Sequence, residues 1–232
     1  MDTGVIMHTF TSSTPIEFLD GEYPCKAWMI DDGQDMTLRE RGSTFFVFAL
    51  ASVQLEDNDG RWWALRAGMS ARVPSSLSVT GRAIVIQKMH EVSMLQVVGP
   101  VETTGRLKYI DGCTDTLLIS PLKKGEACLN HLHFPQGIQQ TMHTHPSVRI
   151  GTVWSGEGIC YTDKGQHKLQ PGVGWYLPVN GQHCFHTSDS HMDVIAWHPD
   201  TDTGPQDENH PMINRTYVND VSARLIDSIR TK

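Results

Sequence analysis

The sequence lacks any apolar run close to the ~18 to 20 residues that a membrane-spanning helix requires, so a transmembrane protein is not expected. Its first 18 residues have an acidic second position, no basic start and no apolar stretch, and they resemble neither a signal peptide nor a transit peptide. These absences predict a soluble, cytoplasmic protein with no membrane partner.

Paired cysteines and positive charge are also scarce. The five cysteines are odd in number, show no CxxC spacing and lie in apolar contexts, which predicts reduced, mostly buried thiols rather than a disulfide framework. Only 19 Lys and Arg stand against 26 Asp and Glu, for a net charge of −7. Without a basic stripe for phosphates, nucleic-acid binding is disfavoured.

The 232 residues do contain many short apolar or alternating runs separated by Gly, Pro, Asn and Asp. This pattern is typical of antiparallel β-structure, so an all-β sandwich or barrel is predicted. The turns DNDG at 57–60 and TDKGQ at 162–166 each predict a hairpin. A short helix is predicted in the tail, 219–232, with Asn219 as its N-cap. The predicted strands are Phe45 to Leu55, Trp62 to Leu65, Ala83 to Gln87, Cys128 to Phe134, Arg149 to Trp154, Trp175 to Pro178 and Val194 to His198.

The two halves of the chain resemble each other weakly. Gly68 precedes Pro74 by six residues in the first half, and Gly172 precedes Pro178 by the same interval in the second. Turn and polar residues concentrate between Gly99 and Arg106 and mark a domain boundary. Two β domains of about equal size, 1–105 and 106–232, are therefore predicted.

Histidine is distributed unevenly between these halves. Of 12 histidines, only His8 and His90 precede residue 106. In the second half, His143 and His145 are separated by one residue. Alternate residues of a strand point to the same face, so both imidazoles could reach one ion.

This pair belongs to the first of two longer sequence patterns in which glycine, histidine and proline recur at fixed intervals. Their positions are Gly137, His143, His145, Arg149 and Gly156 in the first, and Gly172, Pro178, Asn180, His183 and Thr187 in the second. The frame resembles both motifs of the cupin superfamily, G(x)5HxH(x)3-4E(x)6G and G(x)5PxG(x)2H(x)3N. The resemblance covers residues 137–187. Together with the weak repeat, it implies a bicupin of two small antiparallel barrels, with no metal in the N-terminal one.

The resemblance also implies a metal and a class of reaction. One divalent ion, Fe(II) in the leading interpretation and Zn, Mn or Ni otherwise, would be held by His143, His145 and His183. Such three-histidine sites resemble those of thiol and diketone dioxygenases, which implies a non-haem Fe(II) dioxygenase acting on a small anionic or chelating metabolite and O2. One alternative is a metal-dependent lyase or isomerase with His133 as base. The other is a non-catalytic barrel that binds a small effector.

Arg149 is the main departure, because it stands where the family usually has a ligand Glu. A guanidinium cannot bind a cation, so the predicted site has three neutral ligands and favours an anionic substrate. Arg149 shares its odd numbering with His143 and His145, which predicts that it faces the pocket and holds a carboxylate. An outward-facing Arg149, or a barrel that lost its metal together with the Glu, is the alternative. Asn180 in place of the turn Gly is a mild departure, and Thr187 stands where the family has its terminal Asn.

Further candidate residues flank the frame. His131 and His133 precede the motif on one strand and are predicted to line the pocket as substrate contacts, with His133 also as a proton shuttle. Tyr161 is a second candidate for proton transfer. The remaining candidate substrate contacts are Gln140, Trp154 and Trp175.

The segment 198–216 is long, polar and interrupted by three prolines. Such segments often cover binding sites, so His210 or Arg215 is predicted to close over the site. An interdomain or dimer contact is the alternative.

Overall fold

The computed structural model describes residues 8–10, 14–207 and 210–231. It shows an almost entirely β-stranded molecule with antiparallel sheets, which confirms the predicted fold class. The strands are β1 (His8–Phe10), β2 (Ile16–Phe18), β3 (Cys25–Ile30), β4 (Asp35–Glu56), β5 (Trp62–Leu65), β6 (Ser70–Lys88), β7 (Gln96–Val98), β8 (Leu107–Lys108), β9 (Thr114–Ile119), β10 (Cys128–Phe134), β11 (Arg149–Gly156), β12 (Gly158–Thr162), β13 (Gly165–Leu169), β14 (Gly174–Leu177), β15 (His183–His186), β16 (Met192–His198), β17 (Tyr217–Val218) and β18 (Val221–Ser222). One helical turn, α1 (Pro211–Asn214), precedes the last two strands.

The first sheet is built around two long strands, β4 with 22 residues and β6 with 19. Its strand order is β2-β3-β6-β4-β5, and β7 pairs with β6. The predicted hairpin at 57–60 is confirmed and joins β4 to β5. Asp57 Oδ1 accepts the backbone N–H groups of Asp59 (2.9 Å) and Arg61 (3.0 Å), and Gly60 adopts the φ of +72° that closes the turn.

The second half of the chain forms a seven-stranded sheet, β1-β14-β11-β16-β10-β9-β8, and a three-stranded sheet, β13-β12-β15. The predicted hairpin at 162–166 is confirmed and joins β12 to β13. Residues 8–10 pair with β14, so the start of the chain completes the sheet of the later half. Side chains from both sheets, among them Phe134, Trp175 and Phe185, share one buried core.

The other face of the seven-stranded sheet packs on the first sheet. A shared core cluster joins Phe46 and Phe48 of β4 to Ile150 of β11 and Trp197 of β16. Phe46 meets Trp197 edge to face, with ring centroids 5.9 Å apart. The central strands of the seven-stranded sheet are therefore covered on both faces.

The predicted strands match the structure closely, whereas the tail does not. Each predicted strand corresponds to a strand of the structure, and Trp62–Leu65 and Cys128–Phe134 match to the residue. A short α-helix is present, but it is α1; in the described part of the tail the helical segments are two 3-10 turns, Ala223–Leu225 and Asp227–Ile229. Asn219 lies in the turn between β17 and β18 and is not an N-cap. The expected apolar stripe is exposed, so no packed face supports a continuous α-helix there. Its residues are Val221, Leu225 and Ile229.

The cysteines are buried and unpaired, as predicted. Burial raises the pKa of Cys25, Cys128 and Cys160 to about 12, which keeps these thiols protonated. Within the described part of the chain, no helix has the length and apolarity needed to cross a membrane.

Gly151 of β11 marks a close approach of two strands and a ring. A Cβ at this position would lie 2.1 Å from the carbonyl oxygen of Ile195 and 2.4 Å from the Trp175 ring. Gly151→Ala is therefore expected to lower the free energy of unfolding by about 1 to 3 kcal/mol, the typical cost of overpacking. Urea denaturation measures this change, and an unchanged midpoint would contradict the close approach.

Candidate metal centre

The three predicted ligands, His143, His145 and His183, converge in the structure. Each offers one ring nitrogen, and these nitrogens all lie within 4.8 Å of one another. His143 forms an isolated antiparallel bridge to His183, with both N-to-O distances at 3.0 Å. The expectation that His143 and His145 share a regular strand is wrong, because the chain bends at Pro146 and Ser147 before β11 begins.

Two of the imidazoles are oriented to bind through Nε2. His143 Nδ1 faces the carbonyl oxygen of Thr141, and His183 Nδ1 faces that of Gly181, both at 2.8 Å. A carbonyl only accepts, so Nδ1 carries the proton and Nε2 keeps its lone pair, as is usual for metal-binding histidines. Imidazole nitrogens bind a metal at ~2.0 to 2.1 Å, which this nitrogen triangle accommodates with small ring movements. The donor set fits one divalent ion.

Burial keeps two of these imidazoles neutral. Loss of solvation lowers the pKa of His183 to about 4 and that of His145 to about 3, and the charge of Arg149 acts in the same direction on both. The neutral imidazole is the form that binds a metal. Both side chains are therefore in their ligand form at neutral pH.

The histidines form part of the wall of a cavity of about 420 Å³. Gln140, Trp175 and Arg149 line the same cavity. Gln140 Oε1 accepts the backbone N–H of Phe185 at 3.2 Å, which fixes this buried side chain. The indole N–H of Trp175 is buried and has no hydrogen-bond partner within the described residues. Much of the remaining wall is apolar and includes Leu117, Leu132, Phe134, Leu177 and Val194.

Arg149 is held by one nitrogen of its guanidinium. Nη1 donates to the carbonyl oxygens of Ser147 (3.0 Å) and Val148 (3.0 Å) and to Ser147 Oγ (2.7 Å). The Ser147 hydroxyl in turn donates to Asp200, whose second carboxylate oxygen accepts from Tyr23 at 3.3 Å. Nε and Nη2 make no hydrogen bond within the described chain, which leaves two adjacent donors for a ligand.

His131 and His133 do not line the cavity, so the prediction that they do is wrong. Asn130 and Leu132 face the cavity from β10, and strand alternation directs the two histidines to the opposite face. There Asp193 Oδ1 lies 2.9 Å from His131 Nε2 and 2.7 Å from His133 Nδ1. Burial alone would raise the pKa of Asp193, but hydrogen bonds, including those from both histidines, lower it to about 2. Both histidines are tied to this carboxylate behind the cavity wall.

Tyr161 and Trp154 also lie outside the cavity, and their predicted site roles are wrong. Cys160 is buried in the core, so its neighbour Tyr161 points to the other face of β12. Tyr161 packs beside His186, with ring centroids 4.5 Å apart, in a separate surface groove. Trp154 meets Phe48 edge to face at 5.4 Å, where the two large sheets pack together.

The segment 198–216 reaches the cavity through His198, Thr201 and Thr203. His210 and Arg215 are not among the lining residues, so the prediction that they close over the site is wrong. His210 instead caps α1, where its side chain accepts backbone N–H groups of the first turn.

The sequence interpretation missed a polar group on the cavity wall. Asp115, Cys128, Asn130 and His198 all line the cavity. Asn130 Nδ2 donates to both carboxylate oxygens of Asp115, at 3.0 and 2.9 Å, and His198 Nε2 lies 3.0 Å from Cys128 Sγ. Burial lowers the pKa of His198 to about 4. The shared parity of positions 128 and 130 on one strand is the sequence signal that could have grouped two of them.

Comparison with known proteins shows similarity in structure alone. No family model and no curated protein matches the sequence. Protein Ylba from E. coli is 14% identical, with 88% of this chain and 96% of that chain covered and a TM-score of 0.57. The cupin 2 conserved barrel domain protein from Leptotrichia buccalis is 13% identical, with coverages of 86% and 91% and a TM-score of 0.54. Salicylate 1,2-dioxygenase from Pseudoaminobacter salicylatoxidans, solved as adducts with gentisate, is 9% identical, with coverages of 86% and 83% and a TM-score of 0.60. At these identities the likeness shows a cupin-like fold.

Proposed function

We propose that the protein is a mononuclear, metal-dependent enzyme of the cupin type, a non-haem Fe(II) dioxygenase acting on a small anionic or chelating metabolite. The observation that carries the proposal is the convergence of His143, His145 and His183 on the wall of a cavity that also contains Arg149. The chain's own donors would hold the ion and the substrate's anionic group in one enclosed space.

The two halves of the chain would have different roles in this enzyme. Residues 106–232 would form the barrel that holds the metal, and residues 1–105 a related, metal-free barrel. Gly68 and Gly172 support the repeat, since both have a positive φ, +82° and +90°, and each precedes a strand by two residues. The contact of Tyr23 with Asp200 gives the first half a part in positioning Arg149.

The chemistry of the donor set favours a substrate with negative charge. Bound iron supplies open coordination positions for substrate and O2 together with an accessible change of redox state. All three imidazole ligands would be neutral, so the ligands themselves would not offset the charge of the ion. An anionic group is therefore attracted both to the ion and to Arg149.

Arg149 would bind and orient the substrate carboxylate. Its planar guanidinium is fixed through Nη1, and Nε and Nη2 can donate two parallel hydrogen bonds to one carboxylate. Because Ser147 and Asp200 hold the side chain before substrate arrives, less conformational entropy is lost on binding.

The rest of the cavity would exclude water. Apolar side chains such as Leu132 and Phe134 line much of the wall. Trp175 would add its ring to this wall, since its indole N–H is itself buried away from the cavity surface. Gln140 would support the wall by holding Phe185.

Two considerations favour the oxygenase over a lyase or isomerase. One fold neighbour is a salicylate dioxygenase crystallised with gentisate, a small aromatic acid. The lyase interpretation names His133 as the base, and this side chain lies behind the cavity wall, hydrogen-bonded to Asp193.

Separate reconstitution of the metal-free protein with Fe(II) and with Zn tests the reaction class. Small carboxylates, thiols and diketones are screened with an oxygen electrode and by product analysis, in air and under argon. We expect oxygen uptake that requires both Fe(II) and one substrate, because Zn has no accessible redox change. Turnover by the Zn form under argon would contradict the dioxygenase and favour a lyase or isomerase. Tight ligand binding without turnover by either form would favour the effector-binding barrel.

A further inference from the structure

Asp115 is a charged group of the cavity that the metal site does not use. It lies on β9 opposite Leu132 of β10, and it lines the same cavity as the three histidines. Asn130 donates its side-chain amide to both oxygens of the carboxylate, at 3.0 and 2.9 Å. Burial raises the pKa of Asp115, and the hydrogen bonds from Asn130 and from the backbone N–H of Thr116, together with the nearby His131, oppose this rise only in part.

Among the residues that the structure describes, no Lys or Arg forms an ion pair with Asp115. Arg149, the cation of the same cavity, is directed by its Nη1 to Ser147 and Val148 instead. The hydrogen-bond donors to this partly buried carboxylate are the neutral Asn130 amide and the neutral backbone N–H of Thr116. A cationic group is the partner that compensates such a carboxylate best.

The cavity wall therefore carries a positive charge at Arg149 and a negative charge at Asp115, and much of the rest of the wall is apolar. A volume of about 420 Å³ accommodates a small metabolite. A plain carboxylic acid would satisfy Arg149 and leave Asp115 without a cation on the cavity side. A molecule with both a carboxylate and an ammonium group would satisfy both.

We propose that Asp115 and Asn130 form an ammonium-binding subsite, and that the substrate class is a small amino acid with an apolar body. The inference rests on the proposed function, in which Arg149 binds the substrate carboxylate. Asp115 would accept hydrogen bonds from the ammonium group, and the Asn130 amide would hold the carboxylate in place. Asp115 thereby sets specificity for amino acids over plain acids of the same shape.

Binding of matched pairs of small molecules tests the subsite. The full chain, loaded with Zn so that no turnover occurs, is titrated calorimetrically with L-phenylalanine and phenylpropanoate, and with 6-aminohexanoate and hexanoate. In at least one pair the amino acid is expected to bind roughly 10-fold or more tightly than its deaminated partner, the usual effect of one charge-assisted hydrogen bond. Asp115→Asn should remove this preference and leave the binding of the plain acids and the metal content unchanged.

The controls separate this inference from the proposed function. Asp59→Asn, a change at an exposed hairpin position, should keep the full preference. Asp115→Ala is a second variant, which removes the carboxylate without introducing the amide that Asp115→Asn adds. Equal binding within both pairs, a preference that survives both Asp115 variants, or no binding by any probe overturns the subsite. Failure of the proposed anion site would appear differently, as binding of the plain acids that is unchanged in Arg149→Ala.

Discussion

Replacing His183 with alanine is expected to abolish stoichiometric metal binding. Removing one ligand leaves two imidazoles, and the loss in affinity should exceed the roughly 10- to 100-fold that a change in a ligand's hydrogen-bond partner typically causes. Elemental analysis after dialysis should find about one ion per chain in the natural protein and far less than one in the variant. His143→Ala and His145→Ala should behave alike, because all three nitrogens belong to one cluster.

His186→Ala is the matched control, because His186 lies on the same strand as His183 but borders the separate groove beside Tyr161. It should retain its metal. The strongest contrary result is a His143→Ala/His183→Ala double variant that still holds one ion per chain. Two ions per chain, with one mapped to residues 1–105, would contradict the metal-free first half.

Replacing Arg149 with alanine is expected to weaken binding of the anionic substrate by roughly 10- to 100-fold, since hydrogen bonds between charged groups contribute ~1.5 to 3 kcal/mol. Metal content should not change, because Arg149 is no ligand. Arg149→Lys should recover part of the affinity, since it keeps the charge but loses the planar pair of donors. The measurements are KM, or the dissociation constant of a bound acid, together with metal content.

Arg61→Ala is the control for a lost surface charge, since Arg61 lies in the hairpin at 57–60 with its side chain 63% exposed. It should leave KM unchanged. Unaltered substrate binding in Arg149→Ala would remove the carboxylate-binding role, and a fall in metal content would show that this variant disturbs the site as a whole.

The three histidines of the candidate metal centre were predictable because their signal is the spacing within short motifs. His143 and His145 are two residues apart, and His183 follows the second glycine motif at a fixed interval. The spacing identifies the right residues even though His143 and His145 do not share a regular strand. The backbone bridge between His143 and His183 brings the rings together, and that bridge needs only the turns on either side.

The errors concern the faces of strands. His131 and His133 share a face, as alternation requires, but that face packs behind the cavity. The predictions for Tyr161 and Trp154 are wrong for the same reason, because each side chain lies on the strand face that points away from the cavity. Alternation fixes which side chains lie together on a strand, but it does not fix which of the two groups faces the site.

The sequence by itself determined the all-β class, the positions of seven strands, both hairpin turns and the three histidines, since each rests on a local pattern or on the spacing within a short motif. Only the tertiary structure decided that Asn130, and not His131, faces the cavity, and that Asp115 joins it there. The physical reason is that β10 is covered on both faces, with a burial pattern that has no period of two. No amphipathic signal marks the cavity side of such a strand. Its direction follows from how three sheets pack around it.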